Sequence, residues 1–192
     1  MYKDFFFPTP VYVKDIGSPE LNKHLEENIL NLSKTDPGMK KSNKNGWHSK
    51  NDIYNMPEYK ELVSLLFKMQ NEIFKEEGLE PSPFIGNMWA NINPKGGYNT
   101  SHIHSNSLWS GVYYVKTPNN CGKLGIKDPR TLSLMTLPRY DKPLKSYQWR
   151  QFYYEAVAGR CIMFPAWLEH FVEPNESNDL RISISFNFLQ KK

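Results

Sequence analysis

Cysteine is scarce: the chain carries only Cys121 and Cys161, which argues against a disulfide-stapled secreted scaffold. Each falls in or beside an expected strand, where a reduced, buried thiol serves as a small apolar side chain. Long apolar runs are lacking too, and Met1 to Pro10, despite three Phe, has no signal-peptide layout. Charge of one sign is not concentrated either. The net charge is +4, and the basic clusters are limited to Lys40, Lys41 and Lys44 in one stretch and Lys191 and Lys192 at the tail. These features predict a soluble, cytoplasmic protein with neither a nucleic-acid nor a membrane partner. With 39% hydrophobic and 14% aromatic residues among 192, and no internal repeat or low-complexity tract, the chain should fold by itself as one domain.

The first 80 residues read as a strand followed by two buttress helices. Phe5 to Ile16 alternates and is rich in Phe, Tyr and Val, which suits a strand at a sheet edge, interrupted early by Pro8 and Pro10. Ser18-Pro19-Glu20 is an N-cap with proline at the first helical position, and Leu21, Leu25 and Ile29 then share one face up to the stop Asp36-Pro37-Gly38. Lys40 to Asp52 reads as a polar loop pinned by Trp47. Pro57 opens a second helix with a stripe of Tyr59, Leu62, Val63, Leu66, Ile73 and Phe74, closed by Gly78.

After the break Pro81-Ser82-Pro83, helical periodicity gives way to short β-type runs. Strands are expected over Gly86 to Asn93, Ser110 to Lys116, Leu124 to Ile126, Phe152 to Ala156, Arg160 to Phe164 and Arg181 to Leu189. Helices followed by strands indicate an α+β fold, mainly β, with the helices on one side of a sandwich. The irregular segment Pro129 to Gln151, with Arg130, Arg139, Tyr140, Tyr147 and Trp149, is long enough to be functional and is expected to border the pocket.

Three of the five histidines, His102, His104 and His170, fall in the β half. In an extended segment residues i and i+2 point to one face, so His102 and His104 can offer two imidazoles to one metal ion. His170, just past the turn that ends Phe164-Pro165-Ala166-Trp167, is placed to be the third ligand. Three ligands on one side leave open positions, as a metal that activates oxygen or water requires. His24 and His48 read as ordinary surface or core side chains.

Arg181-Ile182-Ser183 opens an apolar strand eleven positions beyond His170. A guanidinium pointing into a β core needs an acidic partner. Asp179 or Glu173 folding back would supply one. So would a bound dicarboxylate, gripped in a forked contact by Arg181 with the hydroxyl of Ser183 on the same face.

The stretch from Met88 to His104 resembles the strand and loop that carry the first iron ligands in 2-oxoglutarate-dependent oxygenases, prolyl hydroxylases in particular. Val112-Tyr113-Tyr114-Val115 is similar to the strand that follows in them, and Phe164-Pro165 through His170-Phe171-Val172-Glu173-Pro174 to Arg181-Ile182-Ser183 resembles the second half-site. More narrowly, the chain is similar to a group of short iron and 2-oxoglutarate oxygenases of bacteria and marine phages. They share a His-x-His, a Ser-Gly-Val-Tyr-Tyr strand and a Phe-Pro-x-Trp-Leu-x-His segment. A phage-encoded member would work in the host cytoplasm.

That resemblance implies a double-stranded β-helix, a jelly-roll, cupin-like barrel over residues 84–189 with supporting helices within residues 1–80. It implies iron(II) on His102, His104 and His170 as the catalytic centre, with 2-oxoglutarate as co-substrate and dioxygen as oxidant. Arg181 would hold the distal carboxylate, with Ser183, Tyr114 and Asn93 as further contacts. The reaction implied is hydroxylation of an aminoacyl, peptidyl or small-molecule substrate with release of succinate and carbon dioxide. A homodimer is left open.

One departure matters. The family motif is His-x-Asp or His-x-Glu, whereas His104 stands where the carboxylate belongs, and no Asp or Glu occurs from Pro81 to Lys127. Either the site is a three-histidine triad or one ligand is missing. A neutral imidazole in place of an anion raises the site charge by one, favouring an anionic co-substrate and altering the redox behaviour of the metal. Two rivals remain at this point. A three-histidine zinc hydratase or hydrolase would use the same ligands without Arg181, and a non-catalytic jelly-roll binding module would use none of them. Of the other aromatics, one of Tyr113 and Tyr114 is expected to serve barrel packing, and Trp89 and Trp167 the core or pocket wall. Gly111, Gly122 and Gly159 suit turns and close packing.

Overall fold

The structure, a computed structural model, describes residues 1–80 and 83–190. The expected break at Pro81-Ser82 and the Lys191-Lys192 pair lie outside the described residues.

Helix α1 (Pro19–Thr35) begins where its cap predicts, with Ser18 Oγ accepting the Leu21 N–H at 3.1 Å, and Leu21, Leu25 and Ile29 are buried. Helix α2 (Lys60–Glu77) starts one turn later than expected, because Pro57–Tyr59 forms a 3₁₀ turn first. It ends at Gly78, whose φ of +67° is the left-handed conformation that closes a helix without a Cβ penalty.

The strands form two antiparallel sheets. One is six-stranded and combines β1 (Tyr12–Asp15), β3 (Trp47–His48), β4 (Pro83–Asn93), β6 (Trp109–Lys116), β9 (Arg160–Pro165) and β11 (Arg181–Gln190) in the order β1-β9-β6-β11-β4-β3. The other is five-stranded and combines β2 (Asn43–Lys44), β5 (Tyr98–His102), β7 (Leu124–Lys127), β8 (Gln151–Tyr154) and β10 (His170–Val172) in the order β2-β5-β10-β7-β8. From β4 to β11 the chain passes back and forth between the sheets, which is the winding of a double-stranded β-helix.

Alternation along β11 divides the two layers. Ile182, Ile184, Phe186 and Phe188 join the helices in one buried cluster with Leu25, Ile29, Leu62 and Leu66. Arg181, Ser183, Ser185 and Asn187 take the opposite face, between the sheets. A second apolar cluster, including Val112, Leu124, Ile162, Phe164 and Leu168, fills part of that inter-sheet space.

Several expectations need correction. The first strand is confined to Tyr12–Asp15, although it does lie at a sheet edge. The 40–52 stretch is not only a loop: β2 and β3 pair with β5 and β4, and Trp47 Nε1 donates to Asp36 O at 2.9 Å. Strands β5 and β10 were not anticipated, since β5 is polar throughout and β10 has three residues. Both are strands because each is hydrogen-bonded to neighbours in the sheet, a relation that local alternation does not reveal. Cys121 and Cys161 are free and buried.

Candidate metal and co-substrate site

His102 is the last residue of β5 and His170 the first of β10, and the two lie directly opposite each other in the pairing register. His104 follows in the turn beyond β5, tied down by its N–H to Ala166 O at 3.0 Å. One donor nitrogen from each of the three rings lies within 4.8 Å of the others. The Nε2 atoms of His104 and His170 are 3.2 Å apart. Two nitrogens each about 2.1 Å from one ion and at right angles about it would lie about 3.0 Å apart, so this spacing suits a shared cation.

The tautomers of two rings are set by backbone carbonyls, which only accept. His102 Nδ1 donates to Thr100 O at 2.7 Å, and His170 Nδ1 to Leu168 O at 2.9 Å, so both Nε2 lone pairs are available. Burial lowers the pKa of all three, to about 4 for His104 and about 3 for His170, where repulsion from the neighbouring imidazoles adds to it; for His102 the bond to Thr100 O partly offsets it. All three rings are therefore neutral at pH 7, and Nε2 of His102 and of His170 is free to ligate. Trp89 stacks against both His104, at 5.6 Å between ring centres, and His48, at 5.3 Å.

Among the described residues no carboxylate joins this group. Glu169, the neighbour of His170, is exposed and engaged with Ser101 Oγ at 2.6 Å and Lys127 Nζ at 2.8 Å. Successive residues of an extended chain face opposite ways, so Glu169 cannot replace the missing anion.

Arg181 lies on the same cavity as the three histidines, at 1% exposure. Neither carboxylate that could have folded back does so: Asp179 pairs with Lys116, and the Glu173 carboxylate accepts the Lys123 N–H at 3.1 Å. Instead the guanidinium donates to three backbone carbonyls, Cys121 O, Glu173 O at 3.0 Å and Gly97 O at 3.4 Å. Nε–H and one Nη2–H have no protein acceptor among the described residues. Burial lowers its pKa, partly offset by neighbouring groups, yet a guanidinium stays charged. Asn93 Nδ2 and Asn91 Oδ1, both on this cavity, are likewise buried without partners.

Tyr114 and Ser183 also line the cavity and pair across the sheet, whereas Tyr113 turns to α1 and donates to Asn22. Tyr113 is thus the packing tyrosine. Trp89 is a wall, but Trp167 is 55% exposed and is neither core nor wall, because it sits on the turn after β9. Among the described residues, none from Pro129 to Gln151 lines this cavity. That segment leaves the barrel at the histidine end but turns aside, forming a separate cavity with Lys3 to Thr9. Asn91, Ser110 and Ser185, which line the cavity, and Asn187 behind His104 were not singled out from the sequence; for Ser185 and Asn187 the available signal was the polar residue at every second position of β11.

The donor set and the half-used guanidinium fit a divalent metal with a dicarboxylate beside it. Three neutral imidazoles supply the ligands, and unfilled hydrogen-bonding capacity faces the cavity.

Comparison with solved structures gives the same barrel. A Pseudomonas putida prolyl-4-hydroxylase superposes with a TM-score of 0.71 over 96% of this chain and 94% of that one, at 13% identity. HygX from Streptomyces hygroscopicus, solved with nickel, 2-oxoglutarate and hygromycin B bound, gives 0.69 over 95% and 84%, at 8% identity. The viral collagen prolyl hydroxylase of Paramecium bursaria Chlorella virus-1, in its 2OG complex, gives 0.61 over 93% and 94%, at 14% identity. No curated protein matches the sequence. The family described as "Putative 2OG-Fe(II) oxygenase" matches residues 87–187, more than half of the chain and every cavity residue named above. The chain therefore belongs to the 2OG-Fe(II) oxygenases, enzymes that depend on iron(II) and 2-oxoglutarate.

Proposed function

We infer that this oxygenase holds iron(II) through Nε2 of His102, His104 and His170, and 2-oxoglutarate between that centre and Arg181. One observation carries the reading: three imidazole donors converge within 4.8 Å on the cavity that also contains a buried guanidinium with no carboxylate partner among the described residues. Bound there, iron(II) and 2-oxoglutarate would supply oxidative decarboxylation to succinate and carbon dioxide, coupled to hydroxylation of a substrate carbon.

The chain's own residues bind and orient. Arg181 takes the distal carboxylate with its unfilled N–H groups, while three carbonyls keep the guanidinium in place. Tyr114, Ser183 and Asn93 add hydroxyl and amide contacts from the same face. Val112, Leu124 and Phe164 line the cavity with apolar surface, which strengthens each of these polar contacts. His104 in place of a carboxylate makes the site one charge more positive, in favour of a dianionic co-substrate. A zinc hydratase has no need of Arg181.

The whole chain acts as one oxygenase domain, with residues 1–80 as the buttress and 84–189 as the jelly-roll core. Likeness to two prolyl hydroxylases over nearly the full chain supports an aminoacyl or peptidyl primary substrate.

The test is succinate formation by iron-loaded protein given 2-oxoglutarate and oxygen, with a proline-containing peptide panel to stimulate it. Turnover lost in both His170→Ala and Arg181→Met is the expected result. Zinc bound tightly with no succinate formed would overturn the reading.

A further inference from the structure

Of the three site histidines, His104 alone has a side-chain partner on its rear nitrogen. His104 Nδ1 lies 3.1 Å from Asn187 Nδ2, where His102 and His170 each face a backbone carbonyl. Asn187 is 3% exposed and held at both ends of its amide. Ser110 Oγ donates to its Oδ1 at 2.6 Å, and its Nδ2 donates to Asn87 Oδ1 at 2.6 Å. An amide nitrogen only donates, so His104 Nδ1 must carry the lone pair and its ring proton must sit on Nε2. That proton fills the 3.2 Å gap to His170 Nε2, which is a bare acceptor. The arrangement is fully satisfied without a metal, and it is the wrong tautomer for His104 to ligate through Nε2.

We propose that Asn187, with Ser110 and Asn87, is a reversible positioning relay that sets the tautomer of His104 and must turn over before His104 can ligate. The inference rests on the three-histidine reading above. For His104 to offer Nε2, one proton leaves Nε2 and one arrives on Nδ1; the ring stays neutral and no proton is gained or lost. The new Nδ1–H needs an acceptor, which Asn187 provides by rotating its amide so that Oδ1 faces the ring. Asn187 Nδ2 then donates to Ser110 Oγ, whose own hydrogen swings away, and Asn87 rotates to donate its Nδ2 to Asn187 Oδ1. Two amides and a hydroxyl can make this exchange because each both donates and accepts. A half-turned relay would set donor against donor in a buried site, which is costly, so two orientations are favoured over any between.

The tautomers are read by long-range proton–nitrogen-15 NMR of the full chain at neutral pH. Metal-free wild-type protein is expected to show His102 and His170 as Nδ1–H and His104 as Nε2–H. Saturation with zinc, used as a diamagnetic probe, is expected to convert His104 to Nδ1–H. Asn187→Asp, whose carboxylate always accepts, is expected to show Nδ1–H on His104 before metal is added, and to bind cobalt(II) about tenfold more tightly. Asn187→Leu should weaken cobalt(II) binding by about 10- to 100-fold. Should the Leu variant fail to fold, Ser110→Ala replaces it; loss of the donor that holds the amide should shift metal-free His104 toward Nδ1–H. Wild-type protein that binds zinc but already shows His104 as Nδ1–H when metal-free, or Asn187→Asp that leaves it Nε2–H, overturns the relay alone. Wild-type protein that binds neither ion overturns the three-histidine reading and the relay with it.

Discussion

Arg181 and Asn93 face each other across β11 and β4. Asn93 Nδ2 has no partner, and the Arg181 guanidinium keeps two N–H groups without a protein acceptor among the described residues. Donors so placed on the cavity await an acceptor that the described residues do not provide. A dicarboxylate of the length of 2-oxoglutarate should therefore stabilise the protein even without metal. A rise in melting temperature with 2-oxoglutarate, absent in Arg181→Met, checks this; removal of the guanidinium also leaves three carbonyls underserved, at about 1–3 kcal/mol for each group so exposed.

Gly122 supports the same arginine from behind. Its φ is +82°, and an added Cβ would lie 2.6 Å from both Glu173 O and Pro174 O and 2.9 Å from Arg181 Nη1. Gly122→Ala should lower stability by roughly 1–3 kcal/mol through backbone strain. It should also raise the KM for 2-oxoglutarate more than it lowers kcat, as steady-state succinate assays would register.

His104→Asp restores the acidic ligand usual in the family. The prediction is retained iron binding with weaker 2-oxoglutarate affinity, by roughly tenfold or more, because one negative charge is added near a dianion. Calorimetric titration of the metal-loaded variant distinguishes this from simple disruption, which would abolish metal binding instead.

Four histidines, the buried His48 and His170 and the half-buried His102 and His104, have pKa values lowered by loss of solvent around the ring. The unfolded chain takes up protons near pH 6.5, while His104 and His170 resist until about 4 and 3. Their contribution to stability is complete above pH 6.5 and is lost as the pH falls from there toward those values. At pH 5 the loss should be roughly 1–2 kcal/mol each for His104 and His170. Urea midpoints of metal-free protein at pH 7.5 and 5.0 measure it, and a His104→Gln, His170→Gln double variant should flatten the difference.

The helices were legible because their signals are local. Ser18, Pro19 and Gly78 mark ends through their own backbone preferences, and Leu21, Leu25 and Ile29 recur at helical spacing whatever they pack against. The strand β11 was legible for the same reason, through strict alternation of apolar and polar residues. Strands β5 and β10 were not, since nothing in Tyr98 to His102 distinguishes a polar strand from a loop until its partners are known.

The sequence by itself determined the residue types at the centre: His102, His104 and His170 as ligand candidates, no acidic residue available between Pro81 and Lys127, and Arg181 on a strand face with Ser183. Tertiary structure alone decided how those groups are completed. It set His170 opposite His102, gave Arg181 carbonyl partners from three separate segments instead of the carboxylates of Asp179 or Glu173, and sent the described side chains of Pro129 to Gln151 away from the cavity. It also put Asn187 behind His104. Hydrogen-bond partners across 60 to 84 residues of chain, as at Arg181, depend on sheet register and strand order. Local patterning carries no record of either, because a pattern reports which face a residue takes and not what lies across from it.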